Sequence, residues 1–421
     1  MMINKISLKV WILAFLCLFL ISNQSKAQYK TIPNPMVCLD GTTVNSVRIW
    51  ENKRRPEILE LFETNVYGKT PQADFTLKSS TESEKEIMGG KAMMRQVLLI
   101  LSYKQKSLSL NLFEIRPAKA KGKIPCFIGL NFDGNQTVIA DTSVKITDKW
   151  LIDYKSDYII GNHATRASGG IDSSSWPVSM IIERGYGLIT CCAADIDEDR
   201  LNYSDGAQAL FYNKGQEKPG PDEWGTIGAW AWGLSRMLDY AISTNVYNPE
   251  RIIVIGHSRM GKTALWAAAQ DKRFAAAISN NSGCGGAAIF RNKEGEKIAD
   301  INRVFPHWFN DNFKKYNNLE DSLPVDQHEL IALIAPRPVY VASATNDKWA
   351  DPKNEFIAVM MAIPVFNLLG VNNIPQFTEP IANLPQQGIL SYHLRQGDHD
   401  ITPWDWLQYL DFADKFVKGN R

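Results

Sequence analysis

One segment of the chain constrains its fold more than any other: an apolar run that meets a serine between two glycines. Residues 251–262 read Arg-Ile-Ile-Val-Ile-Gly-His-Ser-Arg-Met-Gly-Lys. A strand, a sharp turn and a helix in this order form the elbow on which α/β enzymes hold a nucleophilic serine. The turn is so tight that small residues must flank it, which explains Gly256 and Gly261. The pattern predicts that the Ser258 hydroxyl projects at the carboxyl edge of a sheet, beside a helix N-terminus that favours negative charge.

The elbow departs from the common G-x-S-x-G pattern in one position. Its second glycine comes one residue late, at Gly261, and Met260 takes the usual place. A structural serine in an ordinary strand–helix turn therefore stays open as an alternative. The glycine spacing does not match a phosphate-binding loop.

A serine nucleophile needs a base, and four of the six histidines follow Ser258 in the chain. In α/β-hydrolases the order is serine, acid, histidine. His399 lies in a Gly-containing loop directly after the last predicted strand, where the base of this fold belongs. We therefore predict His399 as the base and expect structural roles for His307, His328 and His393.

The acid that orients the base has two candidates in the loop after the strand at 338–344. Asp347 lies nearer the strand end and is the preferred candidate. Asp351 precedes a proline, which is typical of a turn or cap residue.

The rest of the chain alternates short apolar strands with longer helical segments, which indicates βαβ units and a mostly parallel sheet. The strand candidates are residues 124–131, 187–194, 251–256, 275–280, 339–344 and 391–395, and the helix candidates are 226–244, 262–268 and 403–418. Before them, the first hundred mature residues read as strands and turns, with an antiparallel pair at 94–103 and 108–115 on one edge of the sheet. Residues 202–221 read as an inserted loop and residues 366–385 as an irregular stretch. We predict one α/β-hydrolase domain over residues 28–421, with a three-layer arrangement of helices on both faces of the sheet.

The N-terminus has the features of a secretory signal peptide. Lys5 and Lys9 precede or border an unbroken apolar run at 10–21, and the small residues Ser25 and Ala27 then offer a cleavage site. We predict a signal peptide at residues 1–27 and export to the periplasm or the medium. An uncleaved anchor and a lipoprotein acylated at Cys17 are the alternatives. No membrane segment is expected after removal of the signal.

Charge and cysteine content exclude several classes of protein. The formal net charge of +1 argues against a protein that grips nucleic acid by charge. The mature chain keeps an odd number of cysteines, which argues against a disulfide scaffold in an exported protein. Cys126, Cys191 and Cys192 lie in apolar runs and are predicted to be buried, inert thiols. No spacing of cysteine and histidine matches a zinc site, so we expect neither a metal nor a cofactor.

Several motifs together resemble a known family. They are Leu130-Asn-Phe-Asp-Gly-Asn135, Trp224-Gly-Thr-Ile-Gly-Ala-Trp-Ala-Trp-Gly-Leu-Ser-Arg236, Gly256-His-Ser-Arg-Met-Gly-Lys262, Asn280-Asn-Ser-Gly-Cys-Gly-Gly286, Gly295-Glu296, Phe305-Pro-His-Trp-Phe309, Ala335-Pro-Arg-Pro338, Asp347-Lys-Trp349 and Gly397-Asp-His399. The chain resembles the bacterial branch of the glucuronoyl esterases, carbohydrate esterase family 15. The late glycine of the elbow is the form found in that family. The resemblance implies a carboxylic ester hydrolase of the 4-O-methyl-glucuronoyl methylesterase type, acting on lignin esters of glucuronoxylan.

The resemblance also implies roles for individual residues. Ser258 corresponds to the nucleophile, His399 to the base and Arg259 to the arginine that stabilises the oxyanion. The residues that correspond to the family's sugar contacts are Lys262, Glu296 and Trp349.

One position departs from the fungal members of the family. They carry the acid just before a Ser-Gly pair, and this chain has Asn281 there. Asn cannot stabilise an imidazolium by charge, and Asp347 fits the position used by bacterial members. The fungal disulfide beside the catalytic histidine is not expected here, because Asp400 follows His399.

Two other functions remain as alternatives. An acetyl xylan esterase would use the same three residues but gives no role to Arg259, Lys262 and Glu296 beside the nucleophile. A non-catalytic carbohydrate-binding relative would leave the complete set of Ser258, Asp347 and His399 unexplained. We expect a monomer that acts on glucuronoxylan or another uronic-acid ester.

Overall fold

A single mixed β-sheet of nine strands organises the protein. The computed structural model describes residues 32–419, so the predicted signal peptide at 1–27 lies outside the described residues. The strands are β1 (Thr76–Ile87), β2 (Ala92–Tyr103), β3 (Lys106–Pro117), β4 (Ile124–Asn131), β5 (Ile159–Ile160), β6 (His163–Ala164), β7 (Gly187–Cys192), β8 (Tyr247–His257), β9 (Ala276–Asn280), β10 (Val339–Ala344) and β11 (Leu390–Arg395). Their order in the sheet is β1-β2-β3-β7-β4-β8-β9-β10-β11, and β5 and β6 form a separate ribbon.

The sheet is parallel from β7 through β4 to β11 and antiparallel at its other margin. β4 runs parallel to both β7 and β8, and β9, β10 and β11 continue in the same direction. β1, β2 and β3 form an antiparallel meander that joins the parallel part through β3 and β7. The predicted antiparallel pair is β2 and β3. Its predicted place at the edge is wrong, because β1 lies outside it.

Helices cover both faces of the sheet. The α-helices of six or more residues in the described part of the chain are Arg55–Phe62, Val178–Glu183, Gly206–Phe211, Thr226–Ser243, Arg259–Gln270, Ile298–Val304, Gln327–Ile334, Pro352–Leu368 and Pro403–Ala413. The side chains of β4 alternate between two cores: Cys126 and Ile128 face a core with Trp230 and Trp266, and Phe127 faces another with Trp406. This alternation is the period-2 geometry of a strand buried on both faces. The predicted three-layer α/β-hydrolase fold is confirmed.

The prediction of strands and turns for the first hundred mature residues is wrong over residues 47–67, which are helical. Trp50, Ile58 and Phe62 recur at helical spacing and are fully buried. Two arginines between them hold the segment on the domain. The Nη2 of Arg54 contacts Oε1 of Glu329 at 2.7 Å, and the Nη2 of Arg55 donates to the carbonyl of Ala269 at 2.7 Å.

Two further predictions need correction. The loop predicted at 202–221 contains the short helix Gly206–Phe211, and the stretch predicted as irregular at 366–385 begins inside the helix Pro352–Leu368. The cysteines Cys38, Cys126, Cys191, Cys192 and Cys284 are all buried and free, as predicted for the three in apolar runs. Within residues 32–419, no helix has both the length and the apolar character needed to cross a bilayer.

Candidate active site

The elbow lies where β8 ends and the helix Arg259–Gln270 begins. Ser258 has φ 56° and ψ −127°, a strained conformation for a residue with a side chain. Its N–H donates to the carbonyl of Asn280 at 2.8 Å, which fixes the turn to the end of β9. A Cβ on Gly256 would lie 2.0 Å from the carbonyl oxygen of Met260, so only glycine fits there. The predicted strand–turn–helix elbow is confirmed.

The structure brings the predicted base and acid together. His399 follows β11, Asp347 follows β10, and Nδ1 of His399 lies 2.6 Å from Oδ2 of Asp347. The amide of Asn281 donates to the same carboxylate oxygen at 2.8 Å, and the N–H of Ala350 donates to Oδ1 at 3.2 Å. Burial alone would raise the pKa of Asp347, but the hydrogen bonds and charge of His399 and the Asn281 amide lower it overall. The carboxylate is therefore held ionised beside an imidazole that is 44 % exposed.

The other candidate acid has a different task. Asp351 has φ 66° and is the N-cap of the helix Pro352–Leu368. Its carboxylate accepts from the N–H and the amide of Asn354, and from the N–H of Glu294. The prediction of Asp351 as a cap is confirmed, since both of its oxygens are occupied by these bonds.

A second histidine packs against His399. The rings of His257 and His399 are 4.6 Å apart between centroids. The amide nitrogen of Asn280 lies 2.8 Å from Nδ1 of His257 and 2.8 Å from the carbonyl oxygen of Asp400, which follows His399. Burial and the neighbouring positive groups lower the pKa of His257 well below its usual value. A neutral ring thus supports the His399 loop.

Arg259, the residue after Ser258, is held from two sides. The Nε of Arg259 lies 2.8 Å from Oδ2 of Asp199, a charge contact without the alignment of a hydrogen bond. The guanidinium carbon lies 4.3 Å from the ring centre of Phe132, which follows β4. Cation–π contact and ion pairing together fix the plane of the guanidinium.

The three predicted sugar contacts come from separate segments: Lys262 lies in the helix Arg259–Gln270, and Glu296 and Trp349 lie in two loops. Lys262 is buried, and its Nζ donates to the carbonyl of Ser282 at 2.5 Å. Burial lowers the pKa of Lys262, against the opposing effect of Glu296. The N–H of Glu296 donates to the carbonyl of Trp349 at 2.9 Å, and the Trp349 side chain is 56 % exposed. A buried cation, a buried carboxylate and an exposed aromatic face thus occur close together.

Sequence reasoning missed Asp199. This aspartate follows the carboxyl end of β7 and accepts from Nε2 of His307 at 3.0 Å and from Nε1 of Trp308 at 2.6 Å. The acid-rich run after β7 was a signal, because the carboxyl ends of parallel strands meet at one edge of a sheet.

The remaining histidines after Ser258 differ in their surroundings. His393 is buried between Asp405 and the hydroxyl of Tyr340, and the ring of His328 contacts the carbonyl of Pro33. These two have structural partners, as predicted. His307 lies instead in the cluster around Asp199. Within residues 32–419, no group of three or more His, Cys, Asp or Glu side chains is arranged to hold a metal ion.

Comparisons with known proteins agree on one family. The family model described as glucuronyl esterase, fungi, matches residues 164–370. Carbohydrate esterase MZ0003 from an unknown prokaryotic organism is 43 % identical over 389 residues, which cover 92 % of this chain and 90 % of that protein. Among solved structures, a promiscuous CE15 esterase from a marine bacterial metagenome has a TM-score of 0.86 at 43 % identity, covering 91 % of this chain and 96 % of its own. The glucuronoyl esterase of Solibacter usitatus has a TM-score of 0.85 at 41 % identity, covering 91 % of this chain and 97 % of its own. The chain belongs to carbohydrate esterase family 15, the family of the glucuronoyl esterases.

Proposed function

We propose that this protein is a serine esterase that hydrolyses esters of glucuronic acid or its 4-O-methyl ether, as in links between lignin alcohols and glucuronoxylan. One observation carries the proposal: buried Lys262 and Glu296 and the exposed face of Trp349 accompany a serine elbow and a hydrogen-bonded pair of His399 and Asp347. A simple acyl esterase has no use for the sugar-binding groups. Family membership makes the chain a carboxylic ester hydrolase and supports the same substrate class.

The proposed first step is acylation of Ser258. Its hydroxyl oxygen attacks the uronate carbonyl carbon, and Nε2 of His399 takes the proton. Asp347, 2.6 Å from Nδ1, holds the imidazole in the required tautomer and stabilises its positive charge. The alcohol then leaves with the proton returned by His399.

The oxyanion of each tetrahedral intermediate forms against the backbone N–H and the guanidinium of Arg259. One such donor commonly contributes about 3 to 4 kcal/mol to the stability of the transition state. In the second step, water attacks the acyl-enzyme with His399 as base, and the uronic acid and free Ser258 are released. The route uses side chains and water alone.

Recognition of the sugar is proposed for Lys262, Glu296 and Trp349. Lys262 can donate to a sugar hydroxyl and Glu296 can accept from one. Trp349 offers a flat apolar face on which a pyranose ring can stack. We also propose that residues 1–27 direct export to the periplasm or the medium, and that the mature protein is a monomer.

The test compares two substrates, benzyl glucuronate and acetylated xylan, with purified mature protein and a Ser258→Ala control. We expect release of benzyl alcohol by the wild type and none by the variant. Release of acetate without release of benzyl alcohol would instead identify an acetyl xylan esterase. Binding of xylan with no hydrolysis of either substrate would identify a non-catalytic relative.

A second experiment separates sugar recognition from ester chemistry. Lys262→Ala and Glu296→Ala should each lower kcat/KM on benzyl glucuronate by about 10- to 100-fold, because each loses a hydrogen bond to a charged group. Both should keep wild-type activity on 4-nitrophenyl acetate, which has no sugar. The control is Lys272→Ala, at an exposed lysine just beyond the helix Arg259–Gln270 that contains Lys262. Equal losses on both substrates would contradict the assignment.

A further inference from the structure

We propose that Asp199 is a positioning residue that aligns the guanidinium of Arg259 with the developing oxyanion. The inference rests on the proposed role of Arg259 and adds a residue that the sequence motifs around the nucleophile do not contain. Asp199 lies 59 positions before Ser258 in the chain, yet its carboxylate reaches the side chain next to the nucleophile.

The contacts of Arg259 leave its reactive end available. The Nε side faces Asp199 at 2.8 Å, and the guanidinium plane lies over Phe132. Within residues 32–419, no hydrogen-bond partner is found for the two Nη groups, while the side chain is only 14 % exposed. A long, flexible side chain is therefore held by one edge and one face, and its two terminal nitrogens remain free to donate.

The two oxygens of Asp199 have different partners. Oδ1 accepts from His307 at 3.0 Å and from the indole N–H of Trp308 at 2.6 Å, and Oδ2 faces Arg259. Because Oδ1 is fixed by two rings, Oδ2 has one orientation.

The two rings are themselves immobilised. The carbonyl oxygens of His307 and Trp308 accept from the N–H groups of Thr226 and Ile227, in the first turn of the helix Thr226–Ser243. The ring of Trp308 also stacks on Phe305 at 3.7 Å between centroids. The position of Arg259 is thereby tied, through Asp199 and the two rings, to the helix Thr226–Ser243.

The charge of Asp199 is retained in this buried place. Burial would raise its pKa, but Arg259, His307 and Trp308 together lower the pKa below the usual value. A carboxylate at this point holds the guanidinium in one position before substrate binds. Such preorganisation is what makes an oxyanion donor effective, since no rearrangement is required during the reaction.

A double-mutant cycle distinguishes positioning from a purely structural ion pair. Asp199→Asn has nearly the same shape and keeps an acceptor for the rings, but it loses the charge that attracts Arg259. We expect Asp199→Asn to lower kcat on benzyl glucuronate by about 10- to 100-fold, with KM changed less than about 2-fold. In an Arg259→Ala background the same substitution should change kcat by less than about 2-fold, because the group to be positioned is gone.

The control is Asp239→Asn. Asp239 lies on the helix Thr226–Ser243, and its carboxylate pairs with Arg236 and Arg273. The substitution should leave kcat unchanged. Wild-type kcat in Asp199→Asn, or losses that multiply in the double variant, would overturn the proposal.

Two further measurements keep this test independent of the proposed function. The cycle is repeated on 4-nitrophenyl acetate. If the wild type is inactive on benzyl glucuronate, the proposed substrate is refuted, and the second substrate still tests the role of Asp199. A crystal structure of Asp199→Asn gives a readout without activity. Arg259 should leave Phe132 in that structure, and an unmoved guanidinium would refute the positioning role.

Discussion

At the scale of single residues, Asp347 and Asp351 show that two aspartates in one loop can have different partners. Asp347 points at Nδ1 of His399, whereas Asp351 closes the first turn of a helix. We expect Asp347→Asn to lower kcat by about 10³- to 10⁴-fold, because the amide can neither stabilise the imidazolium nor fix its tautomer. Asp351→Asn should keep kcat within about 2-fold of wild type, since Asn can still cap the helix and no contact joins Asp351 to His399 among the described residues.

Initial rates on benzyl glucuronate check this pair of variants, and thermal melts show whether both are folded. Because the two substitutions are chemically identical, each serves as the control for the other. A large loss in Asp351→Asn with a near-normal Asp347→Asn would transfer the acid role to Asp351.

A third carboxylate near the site, Glu355, makes stability depend on pH. It is fully buried and accepts from the hydroxyls of Ser282 and Ser343 and the N–H of Gly283. Burial, opposed by these hydrogen bonds, raises the pKa of Glu355 from 4.5 to about 7. The folded state therefore binds a proton that the unfolded state has lost, and the resulting stability is full below pH 4.5 and disappears as the pH rises through 7.

Glu355→Gln mimics the protonated form at every pH. Relative to wild type, its free energy of unfolding should increase between pH 5 and pH 8, by at most about 3 kcal/mol for a shift of this size. Urea denaturation of both proteins at a series of pH values measures the difference. A difference that stays constant across this range would show that the pKa of Glu355 is not raised in the folded protein.

At the scale of elements, the elbow is the segment with the least freedom to change. Gly256→Ala would place a methyl group 2.0 Å from the carbonyl of Met260, a backbone atom that cannot turn away. We expect a loss of about 3 kcal/mol in the free energy of unfolding and loss of activity, because the elbow must open to admit the group. The measurement is urea denaturation with parallel assays.

The matched control for this substitution is Gly220→Ala, where the new Cβ would lie 3.5 Å from the Glu223 side chain. It should change the free energy of unfolding by less than about 0.5 kcal/mol. Equal stability of the two variants would mean that the elbow can relax without cost.

The elements that sequence analysis found and missed differ in how their apolar residues are arranged. β4 and β10 were predicted with the bounds that the structure has, because both are continuous apolar runs buried on both faces. β1 escaped prediction, since Thr76–Ile87 is exposed along most of its length and has no apolar face. Its pairing depends on main-chain hydrogen bonds to β2, which leave no trace in composition. The helix Pro352–Leu368 was missed because it is apolar on all sides and contains Pro364.

At the scale of the whole molecule, six neighbouring strands each deliver one part of the site from their carboxyl ends. In sheet order these are Asp199 after β7, Phe132 after β4, Ser258 after β8, Asn281 after β9, Asp347 after β10 and His399 after β11. Convergence at this edge is the general property of parallel sheets that made Asp347 and His399 predictable. The same property draws attention to the acid-rich run after β7, but it does not single out Asp199, because no motif relates that residue to Arg259 before the strand order is known.

The cysteines provide a test of the whole fold and of the mature N-terminus together. All five cysteines in residues 32–419 are buried, and burial raises the pKa of each thiol above its usual value, to about 12 for Cys284. We expect no reaction of the folded protein with a thiol reagent such as DTNB, because thiolate is the reactive form and none is accessible. After denaturation without reductant, five thiols should react if residues 1–27 have been removed, and six if Cys17 is retained.

The number of reactive thiols separates the possible outcomes. Fewer than five in the denatured, exported protein would mean that a disulfide forms in the oxidising compartment, contrary to the buried and unpaired arrangement. Rapid reaction before denaturation would mean that the packing around at least one of these cysteines opens in the native state. Cys126 faces the core that holds Trp230 and Trp266, so its protection reports on the same packing that supports the helix after Ser258. An unreactive Cys126 thiol would show that this core, which packs beneath the strained elbow, stays closed in the native state.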